Sequence, residues 1–185
     1  MISADSPTVS YSADLPLSWQ VAPVHDEGMQ TRQLYANLVL LRALATIEAA
    51  APIEGEHDRD SHLAKTLERL ESKLDIALSL IARLSGGQAE LPRQLPMTLG
   101  VQYIEWIDMA PPKTDQEVTL TVYLSPRLPE PLILQAKVMS VLPVDNGSRC
   151  IAELLEHDEE FLEWMTRTVF RYHRRALQAR HQQAG

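Results

Sequence analysis

The chain has 185 residues, 45% of them hydrophobic, and a formal charge of −8. That size suits one buried core, and the charge argues against a general nucleic-acid coat or attachment to an anionic membrane surface. Cys150 is the single cysteine, which excludes an internal disulfide and fits a reducing compartment. No apolar run approaches the ~18 residues of a membrane span. The start of the chain carries Asp5 and Asp14 but no apolar leader core, so a cytoplasmic location without membrane insertion is expected.

In chain order, residues 1–11 read as a disordered, Ser-rich N-terminus. Leu17, Trp19 and Val21 alternate with Ser18 and Gln20, which predicts a short strand, and Pro16 places its start at a sheet edge. Leu34, Leu38, Leu41 and Ala45 recur at helical spacing with no internal Gly or Pro, predicting a helix from about Met29 to Ala50. Pro52 and the polar run from Glu54 to Asp60 break it, and Asp60 or Ser61 can cap a second helix.

That second helix carries a heptad seam. Leu63, Leu67, Leu70, Leu74, Ala77, Ile81 and Leu84 follow a 4-3-4-3-4-3 spacing, which averages 3.5 residues and keeps one stripe facing a partner helix. The stripe is roughly 33 Å long. Burying its six large aliphatics could contribute about 9–18 kcal/mol per chain, partly offset by ordering and association costs. Leu78 and Leu80 widen the face beyond the needs of a dimer, favouring three or four chains. The plainer alternative is an amphipathic helix packed on its own barrel or on the preceding helix, with a period closer to 3.6. Gly86-Gly87 ends the helix, and Pro92 and Pro96 prevent its resumption.

The period then changes to 2. Val101, Tyr103, Glu105 and Ile107 alternate with Gln102, Ile104 and Trp106, and Val118 to Leu124 form a half-buried strand. Leu132 to Leu142 reads as a longer strand with apolar residues on both faces, and Asp145-Asn146-Gly147 turns it into Arg149 to Leu155. Asp158, Glu159 and Glu160 open a last helix, where negative charge suits the dipole, and Phe161, Met165, Val169, Tyr172 and Ala176 form its packing face. The fold class expected is α+β: a small antiparallel barrel of residues 12–24 and 95–181 with a C-terminal helix. Residues 29–91 form a two-helix insertion whose coiled coil spans 63–84.

The stretches from Glu117 to Leu124, Leu132 to Leu142 and Ser148 to Leu155, followed by the helix from Phe161 to Leu177, resemble the PilZ family in order and pattern. Members of that family are bacterial receptors for cyclic di-GMP, built as a six-stranded barrel with a C-terminal helix. The resemblance implies a role in bacterial motility, biofilm or virulence signalling. Its ligand motifs, an RxxxR loop before the first strand and a (D/N)xSxxG segment, are mostly missing here. No Arg precedes Arg32, and of Leu95-Pro96-Met97-Thr98-Leu99-Gly100 only Gly100 matches. Each lost charge-assisted contact costs about 1.5–3 kcal/mol, or roughly three decades of affinity in sum. Cyclic di-GMP is therefore not the expected ligand by the usual route. The heptad insertion is similar to a non-canonical, tetrameric subtype from plant-pathogenic bacteria.

The expected function is thus a non-catalytic PilZ-like adaptor, a homotetramer acting on an unknown protein partner. A divergent cyclic di-GMP receptor using other arginines, such as Arg93 and Arg127, is the alternative. Arg167, Arg171 and Arg175 recur every four residues on the last helix and suggest an anion or partner face, against the plainer reading of cations suiting a helix end. His57, Asp58, Asp60 and His62 are better read as helix-capping than metal-ligating residues, since the histidines lie five apart. No metal or other cofactor is expected. No GxSxG, HExxH, P-loop or CxxC occurs. Glu105 and Asp108 could form an acid pair but lack a matched base, and Cys150 alternates inward with Ala152 and Leu154 as a small core residue. Trp106, Trp164 and Tyr172 read as packing residues.

Overall fold

The computed structural model describes residues 9–22, 27–48, 66, 69–70, 73–74, 77, 91–126, 128, 130–156 and 158–183. In chain order come β1 (Tyr11–Val21), α1 (Glu27–Glu48), β2 (Gln94–Leu99), β3 (Tyr103–Asp108), β4 (Glu117–Val122), β5 (Leu132–Val144), β6 (Gly147–Leu154) and α2 (Glu159–Gln183). The six strands close into an antiparallel barrel in the order β1-β2-β3-β6-β5-β4. Closure removes the sheet edges that would otherwise pair with other chains.

Two long strands make the closure possible because each changes partner along its length. Tyr11 to Pro16 of β1 pair with β2, whereas Leu17 to Val21 pair with β4. The handover falls at Pro16, whose carbonyl accepts from Tyr123 N–H at 3.0 Å while Leu17 N–H donates to Arg93 at 3.2 Å. A residue without an N–H fits this point, so Pro16 lies inside the strand, and β1 begins at Tyr11 rather than at the proline. The start of β1 is held by a Tyr11–Tyr172 stack at 4.9 Å and by a His173 Nδ1–Ser10 carbonyl hydrogen bond of 2.8 Å.

β2 has no counterpart among the strands expected from sequence, because Pro96 sits within it. Pro96 opposes Asp14 on β1, but the β2–β3 ladder runs only from Met97 to Leu99. The missing N–H therefore lies beyond that ladder. β5 departs from expectation in a different manner. Its register shifts between Val138 and Ser140, and the bulge moves the inward parity from Leu132, Leu134, Ala136 and Val138 to Val141. Met139 and Leu142 are turned outward. The strand is apolar on both faces partly because its two halves face oppositely. At the β5–β6 turn, Gly147 has φ +131°, and a Cβ there would lie 2.6 Å from the Asp108 carbonyl oxygen, so only glycine fits.

The interior is continuous from the barrel (Leu17, Leu99, Ile104, Trp106, Leu120, Leu134) to the helices that cover it (Leu41, Leu44, Phe161, Met165, Val169). Asp158 caps α2 by accepting from Phe161 N–H at 2.8 Å, as its position before two glutamates predicts. α1 is fastened differently. β6 covers β5 only as far as Gln135, whose carbonyl accepts from Leu155 N–H at 2.9 Å. Beyond it, the buried Asn37 carboxamide takes over: its Nδ2 donates to the Ile133 carbonyl at 2.7 Å, and its Oδ1 accepts from Ile133 N–H at 3.1 Å. Asn37→Leu should leave two backbone groups unpaired beneath a helix and cost about 2–4 kcal/mol, read as a lower urea midpoint at fixed protein concentration.

Candidate functional site

The segment that resembles a dinucleotide motif is β2 and the turn after it. Alternation places Leu95, Met97 and Leu99 in the core, at 6%, 5% and 0% exposure. Leu95 and Met97 stand where the motif has its polar residues, so in this strand register those positions face apolar interior. Gly100 has a packing role of its own. Its N–H donates to Tyr103 carbonyl at 2.9 Å, and the Tyr103 ring lies where a side chain would be, with Cε1 only 2.2 Å from a built Cβ. Outside this strand is a shallow groove of about 440 Å³ bordered by Ser12, Asp14, Thr98, Glu105 and Arg149. Two carboxylates against one guanidinium do not favour a bis-phosphate ligand.

The two arginines considered as alternative phosphate ligands are placed as follows. Arg93 forms an ion pair with the buried carboxylate of Asp108, which also accepts from Trp19 Nε1 at 3.1 Å and Ala110 N–H at 3.0 Å. This cluster ties β1, β3 and the chain before β2 together. Arg127 lies outside the described residues. The Glu105–Asp108 acid pair does not form: an odd separation on a strand sends the two to opposite faces, Asp108 buried and Glu105 half-exposed.

Cys150 is fully buried opposite Trp106 on β3. Desolvation, and then the charge of Asp108, push its thiol up to about 11 from 9.0. A neutral, enclosed thiol is a poor nucleophile. No group of three or more His, Cys, Asp or Glu poised for a metal occurs among the described residues, and His57, Asp58, Asp60 and His62 lie outside them. No helix among the described residues is long and apolar enough to cross a membrane.

On α2 the three arginines separate. Arg167 is exposed and pairs with Glu163 at 2.5 Å, Arg171 is half-buried, and Arg175 is exposed. A four-residue step advances about 40° around a helix relative to a full turn, so the three do not lie on one straight line along α2. Sequence reasoning did not single out Arg42, whose guanidinium lies 5.9 Å from the Trp164 ring on one approach while Arg167 lies 4.9 Å away on another. It also passed over Asn37, although a lone amide among Leu34, Leu38 and Leu41 was the available signal.

Of the heptad seam, Leu70, Leu74 and Ala77 are described. All three are helical and exposed, Leu70 at 58% and Leu74 at 60%. Leu63, Leu67, Ile81 and Leu84 lie outside the described residues. The described seam positions are thus not covered by their own subunit.

Two outcomes follow from this geometry. Leu95→Asp with Met97→Ser, which restores the motif's polar residues, should lower stability by about 4 kcal/mol or more, because it buries unpaired polar groups. Calorimetry should register no gain of cyclic di-GMP binding. A thiol titration with Ellman's reagent should find Cys150 unreactive until the protein unfolds. Its raised pKa contributes stability that is complete below about pH 9 and is lost as the pH climbs to about 11. Melting curves should therefore fall more steeply with pH over that window in the wild type than in Cys150→Ala.

Comparison with known proteins follows the same outline. A family model described as "Atypical PilZ domain, cyclic di-GMP receptor" matches residues 41–181, a span that takes in the whole stretch between α1 and β2. A solved structure from Xanthomonas campestris, described as a pathogenic protein with a tetrameric PilZ domain self-assembled via an unusual helical bundle, is 21% identical with a TM-score of 0.70. The match covers 94% of this chain and 92% of that chain. The structure of the Bacillus subtilis inhibitor of motility (MotI/DgrA) is 12% identical over 42% of this chain and 40% of that one, with a TM-score of 0.35. No curated protein sequence matches. The six-stranded barrel, its closing helix and the matched span of sequence together place the chain in the atypical PilZ domain family.

Proposed function

We propose that this protein is a non-catalytic PilZ adaptor, held as a homotetramer by its heptad helix and acting through protein contacts in bacterial motility, biofilm or virulence signalling. The observation that carries the proposal is the exposure of Leu70 and Leu74 at 58% and 60%. Aliphatic side chains at heptad spacing gain about 1.5–3 kcal/mol each on burial, and this subunit leaves these two open. Self-assembly through a helical bundle is described for the Xanthomonas campestris protein and supports the same use of the stripe here. In this reading 29–91 is an assembly insertion, and the barrel of 12–24 and 95–181 is a reading surface.

The second half of the proposal, that cyclic di-GMP is not taken by the usual motifs, rests on three features. No arginine precedes Arg32. The motif's polar positions are the buried Leu95 and Met97, and Arg93 is committed to Asp108. Assembly would then contribute avidity: several weak sites on one particle raise apparent affinity by roughly 10² or more.

Light scattering on the wild type beside Leu70→Glu is the direct test. The wild type should have the mass of four chains at micromolar concentration, and the buried glutamate should split it while the barrel keeps its circular dichroism. A monomeric wild type rejects assembly. Micromolar heat on titration with cyclic di-GMP rejects the adaptor half and favours a divergent receptor.

A further inference from the structure

α2 presents a second exposed surface, on the side away from the barrel. Phe161, Met165, Val169 and Tyr172 face the core. Phe170 and Leu177 remain 53% and 41% exposed, seven residues apart, with the exposed Arg174 between them and Arg167 one turn before. The 3-4-3 spacing of these four keeps them on one line along the helix. Trp164, half-buried and approached by Arg42 and Arg167, extends the line towards α1. Tryptophan, phenylalanine and arginine are the residue types over-represented in the cores of protein interfaces.

Charge selects the occupant. After Glu163 the chain has five arginines and no Asp or Glu, in a protein whose total is −8. We propose that the strip Arg167–Phe170–Arg174–Leu177 docks an acidic amphipathic helix of another protein, with apolar residues at heptad spacing and carboxylates flanking them. This rests on the adaptor reading and names the partner's chemistry. A helix is the fitting form, because a straight ridge about 20 Å long, from Trp164 to Leu177, matches the groove of another helix. A second copy's seam helix offers no complementary charge: residues 63–84 contain four Lys or Arg and three Asp or Glu. A membrane surface would need the larger apolar face, which the barrel occupies, and nucleic acid would meet the repulsion of the overall negative charge.

The test uses the full-length protein and a fluorescein-labelled synthetic peptide of about 20 residues, helical, with leucines at heptad positions and flanking glutamates. Binding should raise the peptide's anisotropy and weaken at least about tenfold when salt rises from about 0.05 to 0.5 M. Phe170→Ser and Arg174→Glu should each weaken it at least about tenfold, with unchanged melting temperature because both residues are exposed. Leu142→Ser, at the exposed end of β5, should bind as the wild type does. A peptide with lysine in place of every glutamate should bind the Arg167→Glu/Arg174→Glu variant and not the wild type. Equal binding by all variants overturns the proposal. So does a change of molecular mass in Arg174→Glu, which would make the strip a contact between copies, or strip-dependent binding of phosphatidylglycerol vesicles or an oligonucleotide without peptide binding. Leu70→Glu separates the two readings: an unaltered mass defeats assembly and leaves the peptide result standing, whereas absent peptide binding leaves assembly untouched.

Discussion

The carboxamide of Asn37 does for β5 what another strand would do: it satisfies both the N–H and the C=O of Ile133 where β6 has ended. A closed barrel needs every inward-turned strand edge paired, because an orphaned backbone group under a covering element costs about 1–3 kcal/mol. Here that step of β5 is closed by a side chain from a helix. That fixture ties α1 to the barrel at one register. It also places the following turns of α1, with Leu41 and Leu44, over the same core that α2 covers with Phe161 and Met165. The Arg42–Glu160 ion pair and the shared Trp164 ring then join the two helices at the surface, where such contacts are worth less and act mainly in orienting. The seating of α1 on the barrel is therefore set by an amide in the core rather than by surface charge.

What could be read from the sequence follows the strength of its periodicity. The β3, β4 and β6 strands and the packing face of α2 announce themselves by alternation or by 3-4 spacing and are where expected, whereas the buried face of α1 takes in Leu40, Ala43 and Leu44 beside the expected Leu38 and Leu41. Two of the differences come from proline. Proline was treated as a boundary, yet Pro16 and Pro96 lie within β1 and β2 at places where one side of the strand has no ladder to complete. The bulge at Met139 is equally silent in sequence, since a shift of parity looks the same as a strand buried on both faces. The arginine series Arg167, Arg171 and Arg175 winds around α2, because equal steps of four residues rotate off any line, whereas alternating steps of three and four stay on it. Gly100 matches a ligand motif and is nevertheless explained by a tyrosine ring packed against it. The acid pair could have been dismissed from its odd spacing alone.

The motif positions show what the barrel's register asks of β2. A strand in a closed barrel has no freedom to slip by one residue, because a slip would turn its whole apolar set outward. Once Leu95 and Met97 occupy inward positions, with Leu99 beside them, they contribute to the core, and a return to polar residues at those positions meets a stability penalty before any ligand is available to offset it. The same register that makes β2 a good barrel strand thus opposes polar residues at positions 95 and 97. Cys150 and Asp108 belong to this closed interior as well: the thiol is held neutral by its surroundings, and the carboxylate is occupied by Trp19, Arg93 and the Ala110 amide.

The two exposed surfaces differ in what water asks of them. On the seam, Leu70 and Leu74 are apolar groups in a stretch, 63–84, whose charges nearly balance, so no one sign of partner is selected. Such a surface suits copies of itself, for which matching of like apolar residues is enough. On α2, fewer apolar atoms are open, but they alternate with guanidinium groups on a stretch that carries no acid after Glu163. Two half-exposed side chains bury too little to hold a complex alone, so affinity there must come from complementary charge and be sensitive to salt. A weak, charge-dependent contact becomes effective when it is repeated on one particle, because the second engagement is intramolecular. In the function proposed above, the apolar stripe would set the number of copies, and the basic strip what those copies bind.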